Sequence, residues 1–166
     1  MRRYFVLFGV ILLLGYISVY LPPVREHLVG PFTAGITQVA GALIALCGGQ
    51  VWVSSNTLAI PGFAVQVLDM CNGVEATLVL WSAMLAFPAP WRYKLKGLAL
   101  GTTTVHALNI LRIISLLYLG AYDAELFHWF HWYLWDAVIM LDILVVFLAW
   151  LRWAPAVKRP GEPLAA

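Results

Sequence analysis

The stretch Gly97-Leu-Ala-Leu-Gly101-Thr-Thr-Thr-Val-His106-Ala-Leu-Asn109-Ile-Leu-Arg112-Ile-Ile-Ser-Leu-Leu-Tyr-Leu119 decides the class of fold. It is long enough to cross a hydrocarbon core of about 30 Å, which takes roughly 20 residues of helix. Its one charged residue is Arg112. At about 100° per residue, Thr102, His106, Asn109 and Arg112 fall within about a third of the helix circumference. Ionisable groups are expensive inside a bilayer, so this stripe must face protein or a wet cavity. Arg112 is the costliest of the four and must snorkel towards water or find an acceptor.

Working outward, three more stretches reach spanning length. One runs from about Tyr4 to Leu21, after Arg2 and Arg3. Pro22-Pro23-Val24-Arg25-Glu26 follows in place of a small-residue cleavage site, so an uncleaved anchor is expected. Another runs from Gly73 to Phe87 and is closed by Pro88-Ala89-Pro90. The last runs from Trp129 to Trp153, with interfacial tryptophans at both ends. With 63% hydrophobic and 11% charged residues and a mean hydropathy of +0.87, the chain lies far from soluble proteins, about a quarter of whose residues are charged. The expectation is an all-α polytopic membrane protein forming a single membrane-embedded domain over residues 1–166, with a polar tail at 154–166.

Pro31–Cys47 is ambiguous. Basic residues cluster at Arg2/Arg3, at Arg92/Lys94/Lys96 and at Arg152/Lys158/Arg159, and such clusters favour the cytoplasm. All three share a side only if Pro31–Cys47 does not cross. An interfacial or re-entrant helix at about 31–47 is therefore expected, with a fifth crossing as the alternative. Residues 50–69 alternate apolar with polar or small residues around Ser-Asn and Pro-Gly, which predicts a short β-hairpin before Cys71. With the N-terminus inside, the hairpin, Cys71 and the Gly120–Phe130 loop lie on the non-cytoplasmic side.

Cys71 sits in Asp69-Met-Cys-Asn-Gly-Val-Glu75, where the hairpin meets a span. A thiol at a helix N-terminus feels unpaired N–H groups and the macrodipole, which lower its pKa. Glu75, one turn on, is expected to pair with Arg112 or His106. Taken alone, a cysteine in so apolar a chain reads as a small hydrophobe. Cys47, in Ala-Leu-Cys-Gly-Gly, has no polar company; a Cys47–Cys71 bridge is a matter of distance that sequence does not give. His128 and His131 open the last span in Phe-His-Trp-Phe-His-Trp-Tyr-Leu-Trp. Aromatic-belt histidines, a metal pair and a general base near the thiol are the competing readings; no metal motif such as H-E-x-x-H supports the second. Jointly, one Cys, one Arg and one His from different spans supply a nucleophile, an oxyanion stabiliser and a proton carrier, the minimum for thiol acyl transfer.

Cys71-Asn-Gly-Val at the head of a span, Asn109-Ile-Leu-Arg112-Ile in the next and His131-x-x-x-Trp135 opening the last resemble the exosortase/archaeosortase family of membrane transpeptidases. The resemblance covers roughly Ala40 to Val146. It implies an enzyme of the bacterial inner membrane that cleaves C-terminal sorting segments (a motif, a transmembrane stretch and a basic tail) of exported proteins and passes the acyl group to an acceptor. It assigns Cys71 as nucleophile, with Arg112 and His131 as its catalytic partners; Glu75, His106, Asn109 and His128 stand around them. His128 competes with His131 for the histidine role, and the Trp135 spacing favours His131. The chain is shorter than typical members, which suggests a compact subfamily such as exosortase H. No cofactor, metal or nucleic acid is expected. The substrate's own transmembrane helix is expected to dock laterally, with Gly97/Gly101 as its candidate surface.

Two other classes compete. A small transporter or assembly subunit would use His106/Asn109/Arg112 as a polar path, and a haem or metal protein would use His106, His128 and His131. Neither explains the placement of Cys-Asn-Gly.

Overall fold

The computed structural model describes residues 2–154; Lys158, Arg159 and the rest of the expected tail lie outside the described residues. Helix α1 (Arg2–Tyr20) is followed by α2 (Pro22–Leu46), a small sheet, α3 (Val74–Ala86), α4 (Trp91–Tyr122) and α5 (Ala124–Trp153). Four of these helices, α1, α2, α4 and α5, are long and apolar enough to cross a membrane. That number matches the expectation, but its membership differs. Helix α3 has 13 residues and extends only about 20 Å at 1.5 Å per residue, while α2 runs through 25 residues.

The α2 helix extends past Pro31–Cys47 because Pro22 and Pro23 occupy first-turn positions, where proline costs no hydrogen bond. A π turn at Arg25–Val29 then carries the chain into the apolar run. Packing sets α2 against the Cys71-side half of α4. Phe32 lies edge-on to His106 at 5.0 Å, Thr33 Oγ1 accepts from Asn72 Nδ2 at 2.9 Å, and Gly49, just beyond α2, lies beside the Tyr118 hydroxyl.

Both turn signals in residues 50–69 are used, so the expected hairpin is a three-stranded antiparallel meander: β1 (Trp52–Ser54), β2 (Thr57–Ile60) and β3 (Phe63–Gln66). Pro61 and Gly62 close the second turn, with Gly62 at φ +88°, the conformation a type II turn asks of its third residue. Leu58 and Ile60 face inward and are buried.

Two apolar clusters hold the molecule together. One joins α2, the sheet and the far half of α4 through Ile36, Ala40, Ile44, Leu58, Ile60, Val67, Ile113 and Leu117. The other joins α3, the near half of α4 and α5 through Leu80, Met84, Val105, Ile143 and Trp150. Between them on α4 lie His106, Asn109 and Arg112, so the polar stripe marks a layer between two cores. Helix α1 contributes no buried side chain and leans on α3 through Gly15 against Leu78.

Gly97 and Gly101, expected as a docking surface for a substrate helix, are instead consumed internally. A Cβ on Gly97 would collide with the Trp150 indole and one on Gly101 would press on Leu80 at 2.6 Å. Trp150 Nε1 donates to Tyr93 O at 3.0 Å across that contact. Nearby, Lys94 turns inward and its Nζ caps Leu85 O at 2.6 Å, satisfying a carbonyl at the C-terminal end of α3.

Two outcomes follow. Gly97→Ala should destabilise the detergent-solubilised protein by about 1–3 kcal/mol through overpacking against Trp150, read as a lower melting temperature. In a Cys71→Ala background, Cys47 and a cysteine introduced by Leu21→Cys, at the other end of α2, should react with an impermeant maleimide from the same membrane face. Labelling from opposite faces would mean that α2 crosses the bilayer between them.

Candidate active site

Cys71 ends a short 3-10 turn, Asp69–Cys71, its N–H donating to Leu68 O at 2.8 Å. It therefore precedes the helix proper. Gly73 is the N-cap of α3 at φ +82°, and the Asn72 Oδ1 accepts from Val74 N at 2.9 Å. Asn72 is fully buried and ties this cap to Thr33 of α2. Glycine is required at 73 twice over: by its left-handed φ, and because a Cβ would lie 3.1 Å from His106 Nδ1 and 3.3 Å from Asn109 Cγ.

This local geometry corrects the expected ionisation of Cys71. Burial pushes its pKa above the usual cysteine range; the Arg112 guanidinium pulls it down, while Asp136 and Glu75 push it up. Burial is the largest of these effects, and the Val74 N–H at the helix N-terminus is taken by Asn72 Oδ1 rather than left for the thiolate. Cys71 and Cys47 are both free thiols.

Arg112 is buried, and its Nη2 donates to Asp136 Oδ1 at 3.2 Å. The expected pairing of Glu75 with Arg112 or His106 does not occur. Glu75 accepts from the Tyr20 hydroxyl at 2.7 Å, and His106 Nε2 lies 3.3 Å from Thr77 Oγ1. Asp136 was missed in the sequence, although an acid next to Trp135 in an apolar span was a signal.

A π turn at Phe130–Leu134 explains its placement. Trp135 N–H donates to Phe130 O, so residues five apart, such as His131 and Asp136, come nearer one face than α-helical spacing allows. His131 is also held by its stack on Phe127, with ring centroids 5.6 Å apart and planes within 3°.

Cys71, Arg112 and His131 line one cavity of about 330 Å³, together with Glu75, Asn109 and Asp136. Its other wall is apolar: Tyr16 of α1, Val79 of α3, and Ile139, Met140 and Ile143 of α5. The same three residues also line a smaller slot of about 50 Å³ against β3. His128 is placed elsewhere, lining a surface depression with Glu125, Trp129, Trp132 and Tyr133. His106 sits behind Gly73 under the Phe32 ring, so the four-residue stripe divides: Thr102 accepts from Trp81 Nε1 at 2.8 Å, while Asn109 and Arg112 reach the cavity. Among the described residues no three His, Cys, Asp or Glu side chains gather as a metal site needs.

Several buried polar atoms around the cavity have no hydrogen-bond partner among the described residues: Arg112 Nε, both amide atoms of Asn109, and His131 Nδ1. Buried polar groups are rarely left unpaired. Here they belong to residues that line the same cavity as the thiol, and the Arg112 Nε–H and the Asn109 amide N–H are donors without a partner among the described residues.

The fold and cavity define a polytopic helical membrane protein that brings a thiol, an imidazole and a guanidinium to the wall of one cavity between its helices. The chain matches the family model described as transmembrane exosortase over residues 2–158 and belongs to that family. Its general class is therefore that of the membrane transpeptidases. No curated protein matches the chain, and no solved structure does.

Burial raises the Cys71 pKa. Alkylation of Cys71 by a small neutral reagent in a Cys47→Ser background should therefore show a midpoint above the ~8.5 of an unperturbed cysteine. Asp136→Asn removes an anion that raises the pKa and should shift the midpoint down. Arg112→Gln removes the cation that lowers it and should shift the midpoint up.

Proposed function

We propose that the protein is a cysteine-dependent protease/transpeptidase that cleaves C-terminal sorting segments of exported proteins and transfers the acyl group to an acceptor nucleophile. Cys71, Arg112 and His131, from three separate elements, line one cavity with an apolar wall, and that observation carries the reading. In it, the enzyme resides in a bacterial inner membrane with the cavity on the non-cytoplasmic side, consistent with the basic residues at the other ends of the spans.

A thiol with a raised pKa needs a base. Cys71 hands its proton to His131 as its sulfur attacks the scissile carbonyl. The oxyanion of the tetrahedral intermediate is met by Arg112, whose Nε is free of other partners among the described residues. Asp136 holds the guanidinium in place through Nη2. On collapse, the C–N bond breaks and His131 returns the proton to the leaving amine. The thioester on Cys71 is then attacked by the acceptor, which regenerates the thiol. The apolar wall of Val79, Ile139, Met140 and Ile143 suits a substrate whose cleaved bond is followed by a transmembrane stretch.

The test is an exported reporter carrying a C-terminal motif, transmembrane stretch and basic tail from the same genome, followed by its mass on a gel. Wild type and Cys47→Ala should shorten it, while Cys71→Ala should leave it intact at equal expression. His131→Ala should lose activity by about 100-fold or more, the scale of a lost general acid–base, and His128→Ala should stay near wild type. Normal processing by Cys71→Ala would end the thiol mechanism and favour the non-enzymatic polar-path reading.

A further inference from the structure

Strand β3 has two backbone edges, and only one is paired. Its register with β2 sets Ile60 opposite Phe63, Leu58 opposite Val65 and Thr57 opposite Gln66. Val67 N donates to Asn56 O at 2.8 Å. Hydrogen-bonded pairs alternate along an antiparallel ladder, so Phe63, Val65 and Val67 point their backbone groups at β2. The N–H and C=O groups of Ala64 and Gln66 point the other way and have no backbone partner among the described residues.

That edge does not face open space on every side. The sheet lies across two helices, with β1 and β2 on α2 through Val53 and Leu58 against Gly41. Strand β3 reaches past α4 towards α5, where Phe63 meets Phe127 at 5.8 Å. Between β3 and α5 runs the small slot lined by Val65, Gln66, Val67, Phe127 and His131, and it ends on Cys71 and Arg112. The larger cavity begins at the same two residues and continues between α3 and α5. The Cys71–Arg112–His131 cluster is thus a shared wall, with an unpaired strand edge on one side and an apolar, helix-lined wall on the other.

We propose that the free edge of β3 receives the extended stretch of the substrate immediately before the scissile bond, as a fourth strand running parallel to β3. This rests on the proposed function, and it adds how the substrate is read. An unpaired edge is a ready template for an added strand, and strand addition draws affinity from main-chain hydrogen bonds and specificity from the pockets that receive side chains. The slot takes one small apolar side chain against Val65, Val67, Ile113 and Leu116. The chain direction follows from the two cavities. Residues before the cleaved bond lie along β3, the carbonyl meets Cys71, and the apolar segment after it enters between α3 and α5. Edge strands are usually blunted by charge, proline or a bulge; Phe63–Gln66 carries none of the charges or prolines.

The test combines two readouts on the full-length protein in membranes, with the sorting-segment reporter as probe. In a Cys47→Ser, Cys71→Ala background, Ala64→Cys should form a disulfide under mild oxidation with a reporter cysteine just upstream of its apolar stretch. Trp52→Cys, on the opposite edge strand, should not. Separately, Gln66→Pro deletes an outward N–H while sparing the β2 ladder, and should slow processing by about tenfold while alkylation of Cys71 by a small reagent is unchanged. Absence of the Ala64→Cys adduct overturns the inference, even if wild type cleaves the reporter, and leaves the proposed function standing. Wild-type processing by a Gln66→Pro protein with normal Cys71 reactivity overturns it equally. If Gln66→Pro alters Cys71 reactivity, the adduct alone decides. An Ala64→Cys adduct with a reporter that wild type fails to cleave upholds the strand inference and counts against the cleavage reaction.

Discussion

A guanidinium cannot be left uncompensated in an apolar interior, where the effective penalty for each buried ion is several kcal/mol. Arg112 meets that constraint through Asp136 on the neighbouring helix, and much of the site's geometry follows. The contact requires α4 and α5 to lie close at that level. Gly97 and Gly101 permit the close approach further along the same interface by giving up their side-chain space to Trp150, Leu80 and Val146. The pair also engages the guanidinium through Nη2, leaving Nε without a partner among the described residues.

The polar groups form a layer between two apolar clusters. Thr33, Asn72, Thr77 and His106 bond among themselves at the back of that layer, fixing the turn that presents Cys71. Asn109, Arg112, His131 and Asp136 front the cavity. Low-dielectric walls strengthen whatever hydrogen bonds form inside, and burial among them pushes the Cys71 pKa up. In the proposed mechanism burial and chemistry are therefore coupled: the environment that would make a guanidinium effective against an oxyanion would also make a base necessary for the thiol.

The two cavities on either side of this cluster differ in lining, one apolar and walled by helices, the other narrow and bordered by a strand edge. A substrate that changes from extended chain to membrane helix at the cleaved bond matches that change of lining.

The sequence by itself determined the class of fold and picked out the candidate site residues. Apolar length set the number of spanning segments but not their membership, alternation and turn residues located the strands between Cys47 and Cys71, and the rarity of ionisable groups in such a chain singled out Arg112. These signals are local, carried by periodicity and by the cost of burying charge. Tertiary structure alone decided the partnerships. Glu75 bonds Tyr20, fifty-five residues away, while Asp136 takes Arg112; the choice depends on relative helix heights that no spacing encodes. The π turn at Phe130–Leu134 changes which residues share a face, so a count at 3.6 per turn cannot place His131 beside Asp136. The extent of Pro22–Leu46 and the internal use of Gly97 and Gly101 were hidden for a related reason. An apolar or small residue reads the same in sequence whether it meets lipid or another helix, and only packing tells them apart.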